Sequence, residues 1–173
     1  MNAVYKSALT SVVSILLGVG VAGSAISQQK AVASAKQLVG HWTLVSVVNE
    51  KDGKKMEVFG PNPKGLFIFD RSGRYAILIF RADLPKIASN SREMATAEEN
   101  KAIVQGSLAH FGTYTINEKE GSYSLHPQGS TFANWVGADQ MRKFAITGDE
   151  LKIINPAPSV GSGTSYLLLK RAK

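Results

Sequence analysis

The densest chemistry in the 173-residue chain lies in one stretch, STFANWVGADQMRKF, at residues 130–144. It sets Asn134, Trp135, Asp139, Gln140 and Arg142 within nine residues. Joined by Tyr114 and His126, these groups have the means to polarise a carbonyl and move a proton. Which of them cooperate depends on backbone periodicity. If residues 139–147 form a strand, its period of two puts Gln140, Arg142, Phe144 and Ile146 on one face. Asp139, Met141, Lys143 and Ala145 fall on the other. The first face ends in large apolar residues and is expected to point inward. Arg142 is then buried, and a buried guanidinium requires a carboxylate, an anionic ligand or hydrogen-bond acceptors. Asp139, on the opposite face, is not that carboxylate. Two readings stand. Gln140 and Arg142 either anchor a ligand or close a structural network with Tyr114, Asn134 or backbone carbonyls. Trp135 and Phe132 divide in the same way, between sealing one end of a core and stacking on a ligand.

Other chemistries find less support. His41, His110 and His126 include no pair at metal-ligand spacing, and the chain has no cysteine, so no metal is expected. His41 reads as a strand or rim residue and His110 as the end of a helix, whereas His126 precedes Pro127, one strand before the dense stretch. No Gly-x-Ser-x-Gly elbow is present, FGPNPKG lacks the Lys-Ser/Thr ending of a phosphate loop, and no dinucleotide fingerprint occurs. No cofactor is expected.

Composition bounds the setting. One positive charge at Lys6, an uncharged apolar run over residues 7–25, and small-x-small sites up to Ala33-Ser34-Ala35 have the order of a cleaved signal peptide at residues 1–35. The alternative, a membrane anchor, is weakened by the serines and glycines of the run. A secreted or periplasmic protein is expected, with no stable membrane span after cleavage, held together by its core and not by disulfides. Residues 36–173 suffice for one domain. Of 20 Lys and Arg, Lys6 and Lys30 precede that domain, leaving 18 against 13 acidic residues, a balance of +5. The basic residues are scattered and not interleaved with stacking aromatics, so nucleic acid is not an expected partner. Oligomeric state is left open.

The positioning elements are mostly short strands punctuated by turns. Strands are expected over residues 41–49, 56–59, 66–69, 74–81, 113–117, 123–126, 139–147, 151–154 and 165–171. Asp52-Gly53 marks a hairpin and DRSG a tight turn. Thr96 with Glu99 forms a capping box opening one helix over residues 97–108, with an apolar stripe through Ala97, Val104, Leu108 and Phe111. The long loop before it suits a cover over a site. Sequential hairpins favour an all-β, antiparallel up-and-down barrel of about eight strands with one inserted short helix, because closure removes exposed edges.

At this point particular residues resemble a known family. Gly40-x-Trp42 opens the first strand, as in lipocalins. FGPNPKGLFIFDRSGRYAI, LAHFGTYTINE, GSTFANWVGADQMRKF and GDELKI are similar to blocks of the bacterial and fungal lipocalin-like domain family. The resemblance implies a lipocalin-type barrel with a small-molecule cavity. It also implies that Trp42 closes one barrel end beneath a basic side chain, Arg171 or Lys170. The expected function is binding of a small, partly apolar molecule, with Arg142, Gln140, Tyr114, His126, Trp135 and Phe144 as ligand contacts among wall residues such as Ile77, Ile79 and Leu125. A cofactor-free isomerase or cyclase using His126 or Tyr114 is the alternative, followed by a filled, ligandless envelope or stress protein.

Overall fold

In the computed structural model, the described residues are 35–173. The expected signal peptide therefore lies outside them, apart from Ala35. A single helical turn, α1 (Ala35–Leu38), leads into β1 (Gly40–Lys51), and β2 (Lys54–Glu57) folds back on it through the expected Asp52-Gly53 turn. There follow β3 (Lys64–Phe69), β4 (Arg74–Phe80), α2 (Ala97–Gly106), β5 (Ser107–Asn117), β6 (Ser122–Ser130), β7 (Gln140–Thr147), β8 (Glu150–Asn155) and β9 (Thr164–Arg171). Every sequential pair from β3 to β9 is antiparallel, and β1 pairs with both β3 and β9. That last pairing closes an eight-stranded barrel, with β2 as a ninth strand added beside the far half of β1. The up-and-down barrel expected from the hairpin pattern is observed.

Strand alternation separates wall from core. Trp42, Leu44, Phe67, Phe69, Tyr75, Ile77, Leu125, Leu151, Ile153 and Leu169 all point inward and are buried. One end of the barrel is plugged by large side chains. Trp42 is fully buried there, and its Nε1 donates to Leu38 O of α1 at 2.8 Å. The Arg171 guanidinium lies 4.1 Å from the Trp42 ring centroid and donates to Gln37 O at 2.9 Å and Val39 O at 3.3 Å. Of the two basic residues expected over the tryptophan, Arg171 takes the role. Lys170 faces outward on the wall. Gly40 is required by this arrangement: its φ is +134°, and a Cβ there would sit 2.9 Å from Arg171 Nη1.

The middle of the chain departs from expectation. The capping box is present, with Glu99 N donating to Thr96 Oγ1 and Thr96 N donating to Glu99 Oε2. The helix, however, stops at Gly106, and β5 begins at once with Ser107 paired to Phe80. Residues 107–112 are therefore strand, because β4 offers them a complete ladder of partners. The supposed helical stripe dissolves: Val104 is 73% exposed, while Leu108 and Phe111 lie on opposite faces of β5. Residues 81–106 form an excursion from the β4–β5 hairpin, tied at its base by Arg81 N donating to Gly106 O at 2.8 Å.

The plugged end yields a stability prediction. Arg171→Ala uncovers the Trp42 ring and removes two donors from the α1 segment, and is expected to cost about 2 kcal/mol in urea unfolding. Arg171→Lys should recover less than half of that loss, since an ammonium lacks the planar fork that stacks and donates together.

Candidate functional site

The opposite end of the barrel carries the polar residues. Arg142 on β7 is only 4% exposed, with Lys143 and Met141 facing solvent on either side of it, as alternation requires. Its Nη1 donates to Met141 O at 2.8 Å and its Nη2 to Gln140 Oε1 at 3.1 Å. The guanidinium carbon stands 5.6 Å from the centroid of Trp135, which a short 3-10 turn (Ala133–Trp135) tips into the mouth. Among the described residues no carboxylate oxygen comes within 4.0 Å of Arg142. Burial lowers its pKa from the ordinary arginine value, yet a guanidinium starts so high that the charge persists at any physiological pH.

A cavity of about 40 Å³ lies beside this charge. Its walls include Phe67, Ile79, Tyr123, Leu125, Trp135 and Arg142, and two further polar residues, His110 and Asn155, face it. A void of this size accommodates a water or two, or the head group of a small molecule. His110 is buried, and its Nδ1 lies 3.0 Å from the Tyr75 hydroxyl, with the two rings 5.3 Å apart edge to face. Its ring also meets the Trp135 ring at 5.3 Å. Burial, aided by the charge of Arg142, pushes the His110 pKa down to about 4, so the imidazole is neutral at pH 7. Burial likewise raises the pKa values of Tyr75 and Tyr123, keeping both phenols protonated.

The structure divides the residues expected at the site. Gln140, Arg142 and Trp135 come together at the mouth. Phe144 is buried one step further in and packs on Tyr123 at 5.6 Å, outside the cavity lining. Tyr114 belongs to the plugged end, where its hydroxyl donates to Asp70 O at 2.7 Å and its ring meets Phe69 at 5.2 Å. His126 is separated from the cavity by the wall. It alternates with the inward Leu125 and Pro127, and on the outer surface it contacts Asp139 Oδ1 at 2.7 Å and Thr115 Oγ1 at 3.3 Å. Proton transfer inside the barrel therefore has neither of the two residues first suggested for it. The inserted helix and its loop contribute nothing to the cavity lining either; the turn bearing Trp135 covers it. Among the described residues no three of His, Cys, Asp and Glu gather as a metal site, and no helix is long and apolar enough to cross a membrane.

Sequence reasoning missed Tyr75, His110, Tyr123 and Asn155. The available signal was the alternation of Leu108, His110, Gly112 and Tyr114, all of which face inward on β5.

Residues 39–171 match the pattern of a lipocalin-like domain family. No curated protein matches the chain. Among solved structures, the "REP1-NXSQ fatty acid transporter" is similar at 12% identity, with 80% of this chain and 98% of that one covered and a TM-score of 0.37. A point mutant of the fluorescent protein UnaG is similar at 10% identity, with 81% and 99% covered and a TM-score of 0.38.

The buried imidazole makes stability depend on pH. The folded-state pKa of His110, about 4, lies below the 6.5 of a free histidine, so the unfolded chain takes up the proton first. The stabilisation is complete above pH 6.5 and is lost as pH falls toward 4. Between pH 7.5 and 4.5 the wild type should lose about 2.5 kcal/mol more than His110→Gln in urea unfolding.

Proposed function

The chain belongs to the lipocalin-like domain family, and we propose that its barrel binds a small, partly apolar molecule by an anionic head group. The observation that carries this reading is Arg142: a guanidinium 4% exposed, beside a cavity, with no carboxylate partner among the described residues. Among the described residues two acceptors are directed at it, one a backbone carbonyl and one the neutral amide of Gln140. A buried cation so sparsely compensated favours an anion. The head group fits the cavity of about 40 Å³. An apolar remainder then passes the turn at Trp135, where Phe132 and Val136 stand partly exposed at the rim. The N-terminal sequence supports an exported protein, placing this binding in the periplasm or outside the cell.

The test compares a carboxylate with its uncharged counterpart. Hexanoate should quench or shift the fluorescence of Trp135 with a Kd at least tenfold lower than hexanamide, because a charge-assisted contact to Arg142 is worth about 1.5–3 kcal/mol. In Arg142→Met the preference for the acid should vanish. The same variant should unfold at no lower urea concentration than wild type, since replacing a buried charge by a similar apolar volume is commonly neutral or stabilising. Equal affinity for acid and amide, or collapse of the barrel in the variant, would show that Arg142 is a structural latch.

A further inference from the structure

Anion binding accounts for Arg142 and Gln140, but not for the pair behind them. His110 lines the cavity and Tyr75 does not. Tyr75 engages Nδ1 of the imidazole from behind at 3.0 Å, so Nε2 is the ring nitrogen left to the cavity. No hydrogen bond fills Nε2 among the described residues. A cavity-lining imidazole held through one nitrogen, beside a fixed cation, has the parts of a general base with an oxyanion stabiliser. A core histidine kept only for packing needs no such void.

We propose that this cavity is an acid–base site for small 2-oxo carboxylates, with His110 moving the proton and Arg142 holding the developing enolate. The proposal rests on the anion-binding reading above and adds a reaction to it. The reaction uses the imidazole tautomer in which Nδ1–H donates to Tyr75 Oη and Nε2 carries the lone pair. The opposite tautomer, with the Tyr75 hydroxyl donating to Nδ1, leaves Nε2 protonated and inactive as a base. The C3–H bond of the substrate breaks and its proton passes to Nε2. The electron pair forms the C2–C3 double bond, and the carbonyl pair moves onto oxygen, giving an enolate beside Arg142. Nε2–H exchanges its proton with water, and return of a proton from Nε2 to C3 then regenerates the keto acid carrying a solvent hydrogen; delivery to oxygen gives the enol. No oxidant or cofactor enters the balance.

The substrate class follows from charge and size. Burial is the main cause that keeps the imidazole a weak base, and the charge of Arg142 adds to it. A carboxylate that neutralises Arg142 removes the smaller of the two and makes His110 a stronger base than in the empty barrel. A 2-oxo acid brings that carboxylate next to its own enolisable carbon. The cavity of about 40 Å³ takes the carboxylate end of such an acid, and anything beyond it lies toward the turn at Trp135.

Pyruvate in D₂O is the probe, with loss of the methyl proton signal followed by NMR and binding followed by titration. The full barrel domain should accelerate exchange saturably. At saturating pyruvate, His110→Gln should lower the exchange rate at least about 100-fold, as expected for loss of a general base. Tyr75→Phe should lower the saturated rate less, by misorienting the ring. Arg142→Met should raise the half-saturating concentration as well as slow exchange. Urea unfolding at pH 7.5 confirms that each variant is folded, and the Tyr75 variant keeps the test decisive if the His110 variant is not. Pyruvate that binds to wild type but exchanges no faster than with His110→Gln overturns the acid–base site and leaves anion binding standing. Absence of any pyruvate binding overturns both for this class of acid.

Discussion

The pairing of β9 with β1 is the constraint on which the rest of the molecule depends. Once the sheet is closed, each barrel strand has one inner and one outer face, and among the eight barrel strands none is left as a free edge strand to adjust the register. An eight-stranded barrel has room for one layer of inward side chains and little more. Inner positions are thus few, and each polar one displaces an apolar side chain from the core. The lower half obeys this strictly. Trp42, Phe69, Leu151 and Leu169 fill it with almost no exposure, and α1 closes beneath them. The upper half does not, for Asn49, His110, Arg142, Asn155 and Ser165 are all buried there.

These polar residues serve two ends. Asn49 is structural: its Nδ2 donates to Val160 O at 2.9 Å, tying down the loop before β9, and its Oδ1 accepts from Ser165 Oγ, tying β1 to β9. The Arg142 group is different because its charges do not cancel. The phenols of Tyr75 and Tyr123 are un-ionised, the imidazole is neutral, and the guanidinium alone is charged. In an apolar barrel that surplus positive charge acts over the whole cavity, far more strongly than it would at the surface. Burial is the main cause of the depressed His110 pKa, and this field adds to it.

Much of this was legible in the sequence, for a definite reason. Turn residues and period-two alternation are local, so the hairpin order, the inward Arg142 and the outward Lys143 follow from neighbours in the chain. The motif at Gly40 and Trp42 carried the plugged end, and Arg171 completed it. Cross-strand partnership is not local. Tyr75 and His110 meet only because β4 and β5 pair around residues 81–106. Leu108 and Phe111 are three apart and so also satisfy a helical stripe; that ambiguity hid the inward run of β5 and with it His110. Tyr114 and His126 were drawn in by residue type. The first faces the correct side at the wrong end, and the second lies at a suitable height on the wrong side.

The mouth shows why one short segment can both seal the barrel and admit something to it. Residues 131–139 are held from both sides of the wall. Inside, Trp135 stacks near Arg142 and against His110; outside, Asp139 meets His126. The outer contact is exposed and worth little in water. The inner one uses the charge that an anion would claim. A ligand taking the guanidinium competes with Gln140 for its donors and draws the cation from the face of Trp135, loosening the lid by the same contact that gives it affinity. A side chain that only latched the barrel would be better placed against a carboxylate of the protein's own. With no carboxylate beside Arg142 among the described residues, the proposed anion binding would make closure of the mouth depend on what occupies it.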